Sequence, residues 1–127
     1  MANEIWCTYE EGLVLYALIW RKTDDKVYDV VAAANTFDTY TDADIDTYDL
    51  VLANIVDSDY YSVDFPTSIT TGVYRVQIMR RIGGAIDADA DVGVFQGEIY
   101  WDGTAEVTPS TLNVEVLKIR QRKGPFV

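Results

Sequence analysis

The run Leu13 to Trp20, Leu-Val-Leu-Tyr-Ala-Leu-Ile-Trp, has no polar residue in it. A membrane helix needs about 20 such residues, so this run cannot span one. Its length suits a strand, and a strand apolar at every position must be covered on both faces. The sequence therefore predicts a central strand with a layer on each side. Lys22-Thr23-Asp24-Asp25-Lys26 is a polar turn, and Val27 to Ala33 reads as the returning strand of a hairpin.

The second informative stretch is Tyr60 to Gly84. Tyr61, Val63 and Phe65 alternate with Tyr60, Ser62 and Asp64; Tyr74, Val76 and Ile78 alternate with Arg75, Gln77 and Met79. A period of two with one apolar face marks half-buried antiparallel strands, here read as a hairpin. Pro66 ends its first strand because it has no N–H for a ladder, and Gly72 turns the chain into the second.

The remaining chain fits around these elements. Residues 1–12 read as an extended arm carrying Trp6, which has no evident partner. Thr41 followed by Asp44 resembles a capping box, which predicts one helical turn near 42–47. Tyr48 to Val56 alternates as a third strand, and Asp57-Ser58-Asp59 is a turn. Val92 to Trp101 is a further strand, with Phe95, Ile99 and Trp101 on one face and Gly97 suggesting a bulge or a close backbone approach. Asp102-Gly103 is a hairpin turn into a short strand over 105–108. Leu112, Val114 and Val116 alternate as in a strand, while Leu112, Val116 and Ile119 equally fit a helical stripe.

Together these signals predict one all-β domain, an immunoglobulin-like antiparallel β-sandwich of about seven to eight strands over residues 13–117. Tyr74, just after Gly72, stands where a tyrosine corner would be. The lone Cys7 cannot form an internal disulfide. The start Met-Ala-Asn-Glu-Ile-Trp-Cys lacks a basic n-region and a long apolar core, so folding in a host cytoplasm is expected.

Several chemistries find no support. The chain has no His, which removes Ser-His and Cys-His nucleophilic arrangements. Gly83-Gly84 is a turn rather than a phosphate loop. None of the 21 acids stands out as a glycosidase pair. No enzyme activity and no cofactor are expected. Asp42, Asp44 and Asp46, and again Asp87, Asp89 and Asp91, have the spacing of the first calcium ligands of an EF-hand loop, and Glu98 would fall at its twelfth position. Position 6 is Thr47 or Val92 instead of Gly, so neither run is an EF-hand. Asp87, Asp89 and Asp91 remain weak calcium candidates beside the plainer reading of solvated loop aspartates.

Charge is more telling. The net charge is −11, yet residues 1–111 hold 20 acids and 6 bases, while 112–127 hold 4 bases and 1 acid. An acidic body repels nucleic acid, and the lack of a long apolar run argues against a membrane partner. A basic C-terminal arm over 118–127, with Lys118, Arg120, Arg122 and Lys123, suits an acidic surface such as a neighbouring copy's body. Among 16 aromatics, Trp6, Tyr9, Tyr16, Tyr28, Tyr60 and Tyr100 are too many for one small core, so some should serve contacts.

The motifs Leu15-Tyr-Ala-Leu-Ile-Trp-Arg21, Thr36-Phe-Asp-Thr-Tyr40, Tyr48-Asp-Leu50, Tyr60-Tyr-Ser-Val-Asp-Phe-Pro66, Gly72-Val-Tyr-Arg-Val76, Gly83-Gly84 and Gly97-Glu-Ile-Tyr-Trp-Asp-Gly-Thr-Ala-Glu106 occur in this order. This order resembles a small β-sandwich module of virion proteins in tailed bacteriophages and related prophage proteins. The resemblance covers about residues 13–107. Ile45 stands where that module has a Trp, and the aspartates at 87–91 replace a Pro-containing loop. The resemblance implies a structural virion protein that decorates the capsid or forms part of the neck or tail, with other virion proteins and its own copies as partners. It offers no catalytic residues. The contacts expected from arms and sheet edges are Trp6, Tyr9, Arg120, Arg122, Lys123 and Phe126. The alternatives are a carbohydrate- or receptor-binding fibre module, with or without calcium assistance, or a plain folding spacer.

Overall fold

The computed structural model describes residues 3–109. Among them the strands are β1 (Ile5–Thr8), β2 (Leu15–Arg21), β3 (Lys26–Tyr28), β4 (Phe37–Asp38), β5 (Leu50–Val51), β6 (Ala53–Asn54), β7 (Tyr60–Val63), β8 (Gly72–Arg80), β9 (Val92–Trp101) and β10 (Glu106–Val107). A 3-10 turn, Asp42–Asp44, runs into the single helical turn α1, Ile45–Tyr48. All pairings are antiparallel. The smaller sheet has the order β1-β7-β6; the larger runs β10-β9-β8-β2-β3-β4, with β5 also on β2. The chain is an all-β sandwich, as its alternation predicts.

The apolar run is the centre of the larger sheet. Leu15, Ala17 and Ile19 face the smaller sheet and join Ile5, Cys7 and Tyr61 from it. Tyr16 and Leu18 face the other way, into a second cluster with Val27, Ile45, Tyr48 and Met79. Ile86 and Ala88 pack against that cluster from the aspartate loop, and Tyr40 and Trp20 close its side. The two covers are thus unlike: a sheet on one face, a helical turn and a loop on the other.

Asp91 ties down the loop half of this second cover. It is 7% exposed. Its Oδ2 accepts from the Tyr16 hydroxyl at 2.8 Å and from the Asp87 N–H at 3.0 Å, and its Oδ1 accepts from the Ile82 N–H at 2.9 Å. A buried carboxylate must be met by donors on every side. Burial alone would push the Asp91 carboxyl up, but the two N–H bonds and the Tyr16 hydroxyl outweigh it and hold the group below its ordinary value. The same arrangement, with burial foremost, drives the Tyr16 phenol well above its usual range.

The stretch 60–84 departs from the hairpin expectation. β7 belongs to the smaller sheet and β8 to the larger, so residues 64–71 cross between layers. Phe65 and Ile69 are buried in that crossing and close one end of the sandwich. Trp101 Nε1 donates to the Ile69 carbonyl at 2.9 Å, and the Phe65 and Trp101 rings stand 4.5 Å apart. Tyr74 donates its hydroxyl back to the Thr70 carbonyl at 2.8 Å, which fixes the entry into β8. The expected third strand also divides. Leu50 and Val51 pair with β2, Ala53 and Asn54 pair with β7, and the buried Leu52 between them marks the switch of sheet.

Three smaller expectations need correction. The segment 1–12 is not merely an arm, because Ile5–Thr8 forms β1 against β7, with Ile5 and Cys7 inward. The bulge lies not at Gly97, which pairs regularly with Val76, but where Ile78 and Met79 face Phe95 and Gly93, leaving Val94 over. A Cβ at Gly97 would meet nothing within 4 Å, so no close approach explains that glycine either. Tyr16 and Tyr28, suggested as surplus to the core, are in it, with their hydroxyls met by Asp91 and Ser68. The choice between strand and helix at 112–119 lies outside the described residues.

Two predictions follow from these packing details. Asp91→Asn presents an amide N–H to donors and should cost about 1–3 kcal/mol, read as a lower urea midpoint at unchanged m. Because the folded Asp91 value is depressed, its contribution is complete above the unfolded carboxylate range near pH 4 and fades as pH falls through the lower folded value. The gap between wild type and variant should therefore close on acidification. The loop 33–35 holds Ala33, Ala34 and Asn35 at φ of 56°, 50° and 61°. Left-handed backbone opposes a Cβ, so Ala34→Gly should raise stability by about 0.5–1 kcal/mol in the same titration.

Candidate functional site

The edge of the smaller sheet, β1, stands beside β9 of the larger one, and a cleft of about 370 Å³ opens between them. Its floor is apolar. Ile5 and Cys7 line it from β1, Val76 and Ile78 from β8, and Ile99 from β9, all buried side chains. Alternation places them there: the even face of β8 and the odd faces of β1 and β9 turn toward the gap between sheets. Burial pushes the Cys7 thiol up, which makes it a poor nucleophile.

The rim is aromatic and acidic. Trp6 is 59% exposed and stacks on Tyr60 with ring centroids 6.1 Å apart. Phe95, 42% exposed, meets the edge of Tyr9 at 6.0 Å. Both Trp6 and Tyr9, expected as contact residues, are therefore at or beside the cleft, and Phe95 joins them. Three acids line it as well: Glu4, Glu98 and Glu106.

These acids differ in what balances them. Glu98 Oε2 meets Lys22 Nζ at 2.6 Å and its Oε1 accepts from the Tyr100 hydroxyl at 3.0 Å. Burial raises the Glu98 carboxyl, but these two bonds outweigh that and leave it below its ordinary value. Glu4 Oε1 accepts from the Phe65 N–H at 2.9 Å. Glu106 is raised, by burial first and by the charge of Glu4 second. Among the described residues no cation pairs with Glu4 or Glu106. Among the described residues, the cleft thus combines an apolar floor with two acids, Glu4 and Glu106, that no cation pairs.

Among the described residues, β10 pairs with β9 at Trp101 and Tyr100. Among the described residues, no strand lies on the outer side of β9 from Val92 to Ile99, nor on the outer side of β1. Edges of this kind present N–H and C=O groups to an incoming strand. The local sequence does not single out these two edges, because β1 has only four residues and its pairing partner β7 lies more than fifty residues away.

The calcium candidates do not converge. Asp91 turns inward to Tyr16, Asp87 Oδ1 accepts from the Asp89 N–H, and among the described residues no three acidic or thiol side chains form a metal-holding group. The EF-like spacing instead serves a folded loop. Arg120, Arg122, Lys123 and Phe126 lie outside the described residues. No helix among the described residues is long and apolar enough to cross a membrane.

The Glu4–Glu106 pair makes a prediction. A carboxyl raised in the folded state costs stability once it ionises, so Glu106→Gln should gain a few tenths of a kcal/mol at pH 7. The gain should vanish below about pH 4, where Glu106 is protonated in the folded and the unfolded chain alike, in thermal unfolding followed across pH. Comparison with protein-family models, with curated proteins and with solved structures found no match for this chain.

Proposed function

We propose that this chain is a non-catalytic structural protein that assembles with its own copies and with other proteins through sheet edges and its basic C-terminal segment. The observation that carries the reading is the cleft where, among the described residues, β1 and β9 present open edges side by side next to Glu4 and Glu106. A body with 20 acids and 6 bases beside a segment with 4 bases and 1 acid is charge-complementary to its own copies. The resemblance to tailed-phage virion modules supplies the setting: a capsid-decorating, neck or tail protein of a virion.

Sedimentation of the full chain over a range of concentrations tests the assembly. It should associate reversibly at low ionic strength and release as salt rises, since exposed charges are screened within about 10 Å at 0.1 M salt. A monomer at every concentration and salt would sink the proposal. Mass spectrometry of purified particles tests the virion setting, which fails if the chain is absent from them.

A second reading, glycan recognition, has one feature in its favour. A shallow depression of about 300 Å³ on the outer face of the larger sheet is lined by Trp20, Arg75, Gln77 and Gln96. An indole beside amides and a guanidinium suits a sugar ring. However, Trp20 Nε1 is already bonded to Gln77 Oε1 at 3.3 Å, and its ring packs on Tyr40. Binding on a glycan array would favour this reading over assembly.

A further inference from the structure

We infer that the depression on the outer face of the larger sheet binds a sugar that carries a carboxylate, a uronic acid, with Arg75 on the carboxylate and Trp20 beside the ring. This site rests on the glycan reading, to which it adds the charge class of the sugar, and it does not depend on assembly.

Strand register builds the depression. Arg75 of β8 lies between Trp20 of β2 and Glu98 of β9, and Gln77 lies between Leu18 and Gln96. β8 buries Tyr74, Val76 and Ile78 toward the smaller sheet, so Arg75 and Gln77 stand on the opposite face, about 7 Å apart along the strand. The turn after β2 adds Lys22 and Asp25. The resulting volume, about 300 Å³, is at the small end of ligand pockets.

The hydrogen-bonding capacity left in this depression is mostly donor. Glu98 is spent, because Oε2 meets Lys22 Nζ at 2.6 Å and Oε1 accepts from the Tyr100 hydroxyl at 3.0 Å. That pair also cancels its own charge. An indole N–H can only donate, so the bond from Trp20 Nε1 at 3.3 Å fixes the Gln77 amide with Oε1 toward the indole and Nε2 away from it. Gly93 puts no side chain against that Nε2, where a Cβ would stand 3.4 Å from it. Among the described residues, neither Gln77 Nε2 nor the Arg75 guanidinium has a hydrogen bond or an ion pair. Arg75 acts on Glu98 through its field alone.

Donors of this kind select a ligand rich in acceptors. A guanidinium meets a planar carboxylate with two parallel bonds, and Gln77 Nε2 adds a further donor on the same face. The Trp20 ring offers apolar surface to the C–H side of a sugar. Asp25, at the turn, is left to accept from the sugar's hydroxyls. A neutral sugar would leave the Arg75 fork without its matching group.

NMR titration of the full chain with sodium glucuronate, with glucose and with sodium acetate tests the site, read at the Trp20 indole N–H and the Gln77 and Gln96 side-chain amides. Glucuronate should move these signals and bind about tenfold more tightly than glucose or acetate. Arg75→Gln should bring glucuronate down to the level of glucose; Arg75 is exposed, so the variant keeps the fold. Equal affinity for glucuronate and glucose would overturn the acid class and leave the glycan reading standing. Acetate as tight as glucuronate would overturn the sugar in favour of a bare anion contact. Glucuronate binding that Arg75→Gln leaves unchanged would overturn the site. No shift with either sugar would also overturn it, and the glycan reading itself falls only if a glycan array is blank as well.

Discussion

A strand with apolar side chains on both faces is stable in water only between two covers, and β2 forces this chain to build both. The first cover is the small sheet, which packs Ile5, Cys7 and Tyr61 onto Leu15, Ala17 and Ile19. The second is improvised from the helical turn and the aspartate loop, which lay Ile45, Tyr48, Ile86 and Ala88 over Tyr16 and Leu18. An acid-rich loop is a poor cover unless its charge is neutralised by donors. Asp91 solves this by pointing inward, where one carboxylate collects the Tyr16 phenol and two loop N–H groups. A residue that resembles a metal ligand in sequence thus holds a lid over a tyrosine.

The two sheets are unequal, three strands against seven, and this mismatch creates the cleft. The small sheet is too narrow to cover the whole inner face of its partner. Its β1 edge faces β9 across the cleft, and the buried side chains of Val76, Ile78 and Ile99 form the floor between them. The sequence alternates them inward because the sandwich requires it, and the apolar surface left exposed at the cleft is that of Trp6 and Phe95. Glu4, Glu98 and Glu106 line the same cleft and give it a negative field.

How much of this was legible in the residues varied with the range of the interaction. β2 follows from an apolar run too short for a membrane, and β8 and β9 from period-two alternation closed by Asp-Gly. The turn at 42–48 follows from Thr41 and Asp44, although their side chains bond each other at 2.8 Å instead of capping backbone groups. Interactions across long separations were hidden. Nothing local distinguishes Asp91 from Asp87 or Asp89, because its partner Tyr16 is 75 residues away. β1 has only four residues and draws its identity from β7. The division of 48–56 between two sheets is invisible because its alternation continues unbroken across Leu52. The extra residue at Val94 follows Gly93, so the glycine that stands at the bulge is Gly93 and not Gly97.

The pairing of Ile5–Thr8 with Tyr60–Val63 also sets an order in time. The first strand made is the one whose neighbour comes more than fifty residues later. At a synthesis rate of about 5–20 residues per second, Ile5 and Cys7 wait roughly 3–11 seconds after leaving the ribosome before a partner exists. β2 waits longer still for β8. During that interval the nascent chain shows an eight-residue apolar run and an unpaired edge, while the acids at 24, 25, 29, 38, 42, 44, 46, 49, 57 and 59 emerge before β7. Those charges lie where they can keep neighbouring nascent chains apart, so the acidity that shapes the finished surface also protects a topology that must be assembled late.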